Sequence, residues 1–312
     1  MNTPQKYNSL DDLLFATYNE IILRGSQIKG KRGKIFEVIN FSATLTNPRV
    51  RTSMSLDRKL VKSKFAEFAW YLSKNASKDY ITPYITAYNE EEEENSKILG
   101  AYGPKIFGNI DAQKSQFERI IDQISERTET KQAYLSISEN TDYKLRLEKF
   151  KSPPCTIGLH FIVREERLCL TAYMRSNDAY FGLPHDLFCF TMLQELVALR
   201  IGLKLGTYTH TVTSMHIYDH QVMRVKKYIN EGLQESIEMP HMNDCSEKTL
   251  NLVSTEFDDS YSNSHIDELT DYWKDYVLYS HKNNISSTDP EKWTKKFQDN
   301  KMKRIATCSI AK

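Results

Sequence analysis

Residues 153–203 read PPCTIGLHFIVREERLCLTAYMRSNDAYFGLPHDLFCFTMLQELVALRIGL, and this stretch decides the fold. Its first part, residues 155–175, alternates between apolar and polar side chains around a charged turn at Glu165–Arg167, which predicts two paired strands. Residues 184–203 are strongly apolar and predict a helix that is buried on most of its faces. Paired strands beside a buried helix indicate a sheet packed by helices.

The rest of the chain supplies further strands and helices. Hydrophobic spacing predicts helices over residues 8–23, 57–73 and 111–126. It predicts strand-like runs over residues 34–45 and 207–218. Residues 24–34 are basic and glycine-rich, which predicts a loop. After about residue 245 the chain becomes polar and helical, with Trp273 and Trp293 as expected anchors. The predicted fold class is α/β (α+β), a large mixed sheet packed by helices. We expect a main domain over residues 1–240 and a divergent helical C-terminal extension over residues 241–312.

The charge balance of the chain argues against several kinds of partner. Its 312 residues include 42 Lys and Arg and 41 Asp and Glu, for a net charge of +1. Because no overall positive field exists, we expect no nucleic-acid partner and no attraction to anionic lipid. No apolar run is long enough to span a bilayer. The N-terminal residues carry acids where a signal peptide needs a basic region, so a cytoplasmic location is expected.

The cysteines and histidines do not form a recognisable metal or nucleotide motif. The five cysteines are an odd number, lie far apart and include no CxxC pair, which disfavours structural zinc and a disulfide framework. The sequence also contains no HExxH, GxxxxGK[ST] or GxGxxG. We therefore expect no metal site, and we expect reduced thiols of which one is chemically active.

Three polar segments stand out as candidates for chemistry. Cys155 follows two prolines at the head of a predicted strand, although a lone cysteine is more often a small buried apolar residue. Residues 175–178 and 182–186 crowd polar groups ahead of a very apolar helix, which is costly unless those groups bind something. Alternation places His216 and Tyr218 on one face of a strand, where the simpler explanation is a polar face toward solvent.

Taken in order, these segments resemble the thymidylate synthase family. That family has a Pro-Cys nucleophile, an Arg-Ser-x-Asp segment, a Leu-Gly-x-Pro-Phe-Asn segment and a His-x-Tyr strand. The matching residues here are PPC at 153–155, RSND at 175–178, GLPHD at 182–186 and HIY at 216–218. Glu67 and Trp70 match an early Glu-x-x-Trp, and residues 102–103 match a Tyr-Gly pair. The resemblance covers residues 8–235 and implies a thymidylate-synthase-like fold for the main domain.

The resemblance implies a covalent mechanism. The Cys155 thiolate would add to C6 of a pyrimidine nucleotide, so that C5 becomes a nucleophile and attacks the methylene of the co-substrate 5,10-methylenetetrahydrofolate. Cysteine suits this role because its thiolate is both a good nucleophile and a good leaving group. A neighbouring guanidinium favours the thiolate, and Arg175 is the candidate. Glu67 would organise water and move protons at C5 and the base.

The resemblance also implies the residues that bind the two substrates, within a homodimer. The nucleotide phosphate would be held by Arg175 and Ser176, by Arg32 in the basic loop, and by Lys131 supplied across the dimer interface. The sugar hydroxyl would be bound by His216 and Tyr218. The folate would be bound by Asp178, Gly182 and Trp70.

Asp186 is the most informative departure from the family pattern. Family members that act on dUMP place an asparagine there, because an amide can match both N3–H and O4 of uracil. A carboxyl group instead suits the 4-amino group of cytosine, either as a carboxylate that accepts or as a neutral acid that donates to N3. The alternative is that Asp186 turns away, or caps a helix that begins near Leu187.

These residues together predict a folate-dependent C5 hydroxymethylase of a cytidine monophosphate, dCMP before CMP. Residues 241–312 do not resemble the tail that closes the family's synthases, which is compatible with water as the final nucleophile. The alternatives are a thymidylate synthase that methylates dUMP and a catalytically silent nucleotide-binding homologue.

Overall fold

A computed structural model describes residues 4–30, 33–56, 58, 62–91, 96–109, 114–143, 153–258, 265–280 and 294–310. Within these residues, seven strands form one sheet: β1 Gln5–Tyr7, β2 Ser26–Gly30, β3 Gly33–Leu45, β4 Tyr134–Ser136, β5 Thr156–Arg164, β6 Arg167–Asp178 and β7 Lys204–Tyr218. The same residues include ten α-helices: α1 Leu10–Arg24, α2 Ser63–Leu72, α3 Lys78–Ile81, α4 Tyr102–Phe107, α5 Gln116–Glu126, α6 Gly182–Ile201, α7 Val222–Glu231, α8 Glu247–Glu256, α9 Asp271–Ser280 and α10 Asn300–Ile310.

The sheet is mixed, as the sequence predicts. Its strand order is β1-β3-β7-β6-β5-β4, with β2 paired to the outer part of β3. β6 runs parallel to β7, whereas β5 pairs with β6 and β3 pairs with β7 in antiparallel fashion. The predicted hairpin is present, since Arg164 faces Arg167 across a turn in which Glu165 and Glu166 have φ values of 51° and 57°. Two consecutive left-handed residues suit the twist of a two-residue hairpin.

The apolar helix α6 is the central helix of the fold. It is buried along most of its length and lies on β6 and β7, which confirms the predicted buried helix. Gln194 ties it to both strands, because its Nε2 donates to the carbonyl oxygens of Leu168 at 2.8 Å and Thr207 at 3.2 Å. The helix ends at Gly202, whose φ of 71° is a conformation that glycine adopts at little cost. No helix among the described residues is both long and apolar enough to cross a membrane.

Three predicted boundaries are wrong. The loop predicted over residues 24–34 contains strand β2, whose side chains are mostly exposed and whose pairing with β3 rests on backbone hydrogen bonds. The helix predicted from residue 57 begins at Ser63, and the helix predicted from residue 111 begins after Ser115. Ser115 forms a capping box with Glu118, which satisfies the first free N–H groups and sets the start of α5.

The C-terminal helices α8 and α9 pack against α2 rather than standing apart from the main body. Trp273 is fully buried and its Nε1 donates to the Asp244 carbonyl oxygen at 2.8 Å, as expected of an anchor. The Tyr276 hydroxyl donates to the carbonyl oxygen of Phe65 at 2.6 Å, within the first turn of α2. Trp293 lies outside the described residues. The division at residue 240 stays a prediction.

Close packing of α4 on α2 depends on Gly103. A Cβ at this position would lie 2.6 Å from the Tyr71 carbonyl oxygen and 2.9 Å from that of Trp70, and backbone cannot move aside cheaply. We predict that Gly103→Ala lowers the free energy of unfolding by about 2 kcal/mol, measured by urea denaturation. Gly100→Ala is the matched control, since its Cβ would meet nothing within 4 Å, and it should change stability by less than about 0.5 kcal/mol. Equal effects of the two changes would contradict this packing.

Candidate active site

Cys155 and Arg175 are joined through the backbone of the Pro-Pro-Cys segment. Cys155 is half-buried just before β5, and its carbonyl oxygen accepts a hydrogen bond from the Arg175 N–H at 3.0 Å. The Arg175 side chain donates to the carbonyl oxygen of Pro154 from Nε at 3.1 Å and to that of Pro153 from Nη2 at 2.8 Å. The structure thus anchors the predicted guanidinium on the two residues that precede the predicted nucleophile.

Glu67 lies on α2 with only 7% of its surface exposed. Its Oε1 accepts hydrogen bonds from the hydroxyls of Tyr71 at 3.4 Å and Tyr88 at 3.3 Å. Burial raises the pKa of Glu67 to about 7, against the weaker opposing effect of the two hydroxyls. A carboxyl group in this state can hold or release a proton near neutral pH, as proton transfer requires.

Trp70 follows Glu67 by one helical turn and is 1% exposed. Its ring meets that of Tyr88 edge-on at 5.3 Å between centroids. Its Nε1 is a buried donor with no hydrogen-bond partner among the described residues. An orphaned donor beside aromatic rings fits a flat heterocycle with acceptor atoms, which is the kind of group that the sequence assigns to Trp70.

Tyr102 connects the thiol to the two carboxyl groups. Its hydroxyl accepts a hydrogen bond at 3.3 Å from the N–H of Thr156, the residue after Cys155. Its ring lies 5.5 Å from that of Tyr71, which donates to Glu67. Burial raises the pKa of Tyr102 well above its usual value, and the neighbouring charges of Asp186 and then Cys155 raise it further. Tyr102 therefore stays neutral between these groups.

Asp186 lies inside α6 rather than at its start. The helix begins at Gly182, so the suggestion that Asp186 caps a helix beginning near Leu187 is wrong. The Asp186 Oδ2 instead accepts a hydrogen bond from the Asn177 Nδ2 at 2.7 Å. Burial, and next the negative charge of Glu67, raise the pKa of Asp186 well above its usual value. Oδ1 has no partner among the described residues.

The neighbours of Asp186 explain two other positions of the GLPHD segment. A Cβ on Gly182 would lie 2.8 Å from the Asn177 Nδ2, so a glycine leaves room for the Asn177–Asp186 contact. The ring of His185 bonds elsewhere, to the Ser63 Oγ and the Phe181 carbonyl oxygen, each at 2.8 Å. With both ring nitrogens engaged in this way, His185 supports the α2–α6 contact.

Asn177 is itself held by two residues that sequence reasoning missed. Its Oδ1 accepts from His210 Nε2 at 3.1 Å, and His210 Nδ1 meets the Tyr208 hydroxyl at 2.7 Å. His210 and Tyr208 are fully buried, and Asn177 is 4% exposed. A signal was available, because alternation along β7 places residues 208 and 210 on the same face as His216.

His216 and Tyr218 end β7 beside the loop that leads to α6. Asp178 pairs with His216 in the β6–β7 ladder, and the rings of His216 and Tyr218 meet edge-on at 5.2 Å. His216 is only 7% exposed and its Nδ1 has no partner within the described part of the chain. The alternative that His216 lies on a polar face toward solvent is therefore wrong. Its role in sugar binding stays a prediction.

Asp178 orders the turn that leads into α6. Its Oδ1 accepts from the N–H groups of Tyr180 at 2.8 Å and Phe181 at 3.2 Å, and its Oδ2 accepts from the Gln221 Nε2 at 2.9 Å. Both oxygens thus have partners within the protein, and a contact to folate would have to use a remaining lone pair. Ser176 lies two residues before Asp178 on β6 and pairs with Ser214 of β7.

Lys131 is not brought to this cluster within one chain. Its carbonyl oxygen accepts from His160 Nε2 at 3.0 Å, and its exposed side chain lines an open cavity of about 820 Å³ with Val163 and Arg164. Those two residues end β5, about 25 Å along the strand from Cys155. Arg32 lies outside the described residues.

Comparison with known proteins places this arrangement in a family. The family model for thymidylate synthase matches residues 18–272. The chain belongs to the thymidylate synthase family. The matched region contains Glu67, Cys155, Asp186 and His216, and it also runs beyond residue 240 into the predicted extension. The thymidylate-synthase-like fold expected from the ordered motifs is confirmed.

A named relative within the thymidylate synthase family is the deoxyuridylate hydroxymethyltransferase of Delftia phage PhiW-14. It is 28% identical to this chain over 190 residues, which cover 57% of this chain and 52% of the relative. The match thus spans about half the length of that relative.

The raised pKa of Glu67 has a consequence for stability. Because the folded state favours the protonated carboxyl, folding should weaken as pH rises from about 4.5, the ordinary value, to about 7. We predict that Glu67→Gln does not show this decline. The free energy of unfolding of the variant, relative to that of wild type, should therefore rise by at most about 3 kcal/mol between pH 4.5 and pH 7. Urea denaturation at a series of pH values measures the difference. The exposed Glu126→Gln is the control, and its free energy of unfolding should change with pH as that of wild type does. If the curves of Glu67→Gln and wild type ran parallel, the raised pKa of Glu67 would be contradicted.

Proposed function

We propose that this chain is a folate-dependent C5-hydroxymethyltransferase of a cytidine monophosphate, with dCMP preferred to CMP. The observation that carries the proposal is the set of contacts around Tyr102. Its hydroxyl accepts a hydrogen bond from the residue after Cys155, its ring packs on the tyrosine that donates to Glu67, and the charge of Asp186 acts on it. These groups lie in a chain of the thymidylate synthase family. A thiol, a carboxyl group that titrates near neutral pH and a second carboxyl group are the three functions that the chemistry needs.

The first step uses Cys155 and Arg175. The thiolate adds to C6 of the pyrimidine and pushes electrons to C5, which becomes the carbon nucleophile. The Pro153 and Pro154 carbonyl oxygens hold the guanidinium beside the backbone of Cys155. In this proposal the guanidinium favours the thiolate and attracts the nucleotide phosphate. 5,10-Methylenetetrahydrofolate supplies the one-carbon unit when it is bound.

The later steps use Glu67 to move protons. After the one-carbon unit is joined to C5, the C5 proton leaves and tetrahydrofolate departs from that carbon with the electron pair of the C–N bond, so that an exocyclic methylene forms on the pyrimidine. Glu67 suits this task because burial raises its pKa to about 7 and two tyrosine hydroxyls hold the carboxyl group in place. Water then adds to the methylene, the Cys155–C6 bond breaks, and the hydroxymethyl nucleotide is released.

Two observations support water rather than hydride as the final nucleophile. The relative from the Delftia phage is named a hydroxymethyltransferase. In addition, the described C-terminal helices α8 and α9 pack on α2 through contacts such as Tyr276 to the Phe65 carbonyl oxygen. These helices brace α2, which is a different task from sealing a pocket against water.

Asp186 supports cytosine as the base. A buried carboxyl group that faces O4 of uracil with an acceptor would lose on the order of 1–3 kcal/mol. The second candidate substrate is dUMP, and the name of the phage relative, a deoxyuridylate enzyme, favours it. The chemistry is the same for both candidates, so the difference lies in how Asp186 meets the base.

A homodimer is part of the proposal. One face of the sheet carries Tyr134 and Tyr173, which are 43% and 39% exposed, and continues through the Ser42–Thr211 and Thr44–Thr209 hydroxyl pairs. A second copy on this face would bring its Lys131 toward the phosphate, which the same chain's Lys131 cannot reach. A monomer in solution at assay concentrations would contradict this arrangement.

The test of the proposed function is direct analysis of products. The purified chain is incubated with 5,10-methylenetetrahydrofolate and, separately, with dCMP, CMP and dUMP, and product masses are read by mass spectrometry. We expect dCMP to gain the mass of one formaldehyde unit, with no rise in absorbance from dihydrofolate. A methylated product with dihydrofolate would establish the synthase alternative, and no product from any nucleotide would establish the silent homologue.

Replacement of the thiol separates chemistry from binding. We predict that Cys155→Ala abolishes turnover, because no covalent adduct can form, while nucleotide affinity measured by calorimetry stays within about threefold of wild type. Cys245→Ala is the control, since this half-buried cysteine lies far along the chain from the pocket, and it should keep wild-type turnover. Retained turnover by Cys155→Ala would exclude Cys155 as the nucleophile.

A further inference from the structure

A buried chain of hydrogen bonds ends on the carboxyl group of Asp186. It runs from the Tyr208 hydroxyl to His210 Nδ1 at 2.7 Å, from His210 Nε2 to Asn177 Oδ1 at 3.1 Å, and from Asn177 Nδ2 to Asp186 Oδ2 at 2.7 Å. Tyr208 and His210 are completely buried. We call these three residues, Tyr208, His210 and Asn177, the relay.

The direction of the relay is set by its first member. A hydrogen-bonded chain of this kind can in principle run in either direction, since both the imidazole and the amide can be reversed. In the reverse direction the hydrogen of the Tyr208 hydroxyl would need another acceptor. Within the described residues that hydroxyl meets only His210, and a buried hydroxyl without an acceptor is costly. Tyr208 therefore donates to Nδ1, which leaves the hydrogen of His210 on Nε2.

The rest of the relay follows from that hydrogen. Nε2–H donates to Asn177 Oδ1, so the amide must point its NH₂ group toward Asp186. Burial lowers the pKa of His210 to about 3, so a second ring proton does not disturb this order near neutral pH. As a result Asp186 Oδ2 always faces a donor and remains an acceptor.

We propose that the relay determines which pyrimidine the pocket accepts, because it keeps Asp186 Oδ2 an acceptor and leaves Oδ1 as the only oxygen that can carry a proton. This inference rests on the proposed function and adds the positioning residues for base selection. Cytosine presents an acceptor at N3 and a donor at position 4, whereas uracil presents a donor at N3 and an acceptor at position 4. A carboxyl group with a fixed donor and acceptor order matches one of these edges and opposes the other.

Tyr208→Phe is the decisive change, because it removes one hydroxyl and keeps the ring. Without that donor the relay can run either way, so Asp186 can carry its proton on either oxygen and match either base. We expect the ratio of kcat/KM for the preferred over the disfavoured nucleotide, dCMP against dUMP, to fall about tenfold. Part of this fall should be a rise in kcat/KM for the disfavoured nucleotide, which mere structural damage would not produce.

Three further variants complete the experiment. His210→Leu removes the donor that orients Asn177 and should change selectivity in the same direction. Asp186→Ala sets the limit, because it removes both hydrogen bonds to the base and should bring the ratio near unity. Tyr228→Phe is the matched control, because it removes another buried hydroxyl, one that donates to Asp11 Oδ1 at 2.6 Å, away from Asp186. It should lower thermal stability while leaving the ratio unchanged.

The outcomes separate this inference from the proposed function. Wild-type preference for dUMP would contradict the proposed substrate, while a collapse of that preference in Tyr208→Phe would still support the relay. An unchanged ratio in a folded Tyr208→Phe variant would overturn the relay and leave the proposed function intact. Calorimetry of dCMP and dUMP binding in the Cys155→Ala background makes the same comparison without turnover, and binding of neither nucleotide would overturn both.

Discussion

Removal of two carboxyl groups from water is the constraint on which the rest of the pocket depends. Burial raises the pKa of Glu67 and of Asp186, and the negative charge of Glu67 further raises that of Asp186. Ionisation of Glu67 therefore makes ionisation of Asp186 less favourable. Each needs a donor within the protein, which Tyr71 and Tyr88 supply to Glu67 and Asn177 supplies to Asp186.

The fold holds these groups by bracing the two helices that carry them. Gln194 binds α6, and with it Asp186, to the carbonyl oxygens of two strands of the sheet. The helix α2, which carries Glu67, is braced by the C-terminal helices, where Tyr276 donates to the Phe65 carbonyl oxygen. The C-terminal region therefore contributes to the pocket at a distance, through the position of α2.

Several elements were predictable because their signals are local. The β5–β6 hairpin and β7 show apolar alternation over many consecutive residues, α6 shows a long apolar run, and each element is found where its signal lies. β2 gives no such signal, since its exposed side chains do not alternate and its pairing uses only the backbone. The predicted start of α5 is too early because the capping box of Ser115 and Glu118, and not apolar spacing, sets where the helix begins. The predicted start of α2 is also too early, and Lys62, which precedes it, makes no side-chain capping bond.

The sequence by itself determined the family, the order of the motifs and the chemical identity of Cys155, Glu67 and Asp186, because residue types and spacings are written directly in it. Only the folded chain places Asp186 within α6, the Lys131 side chain in a cavity beside the end of β5, and the relay on Asp186. The His210–Asn177 bond joins residues 33 positions apart on different strands. Such contacts depend on strand register and helix packing, which no local pattern of side chains specifies.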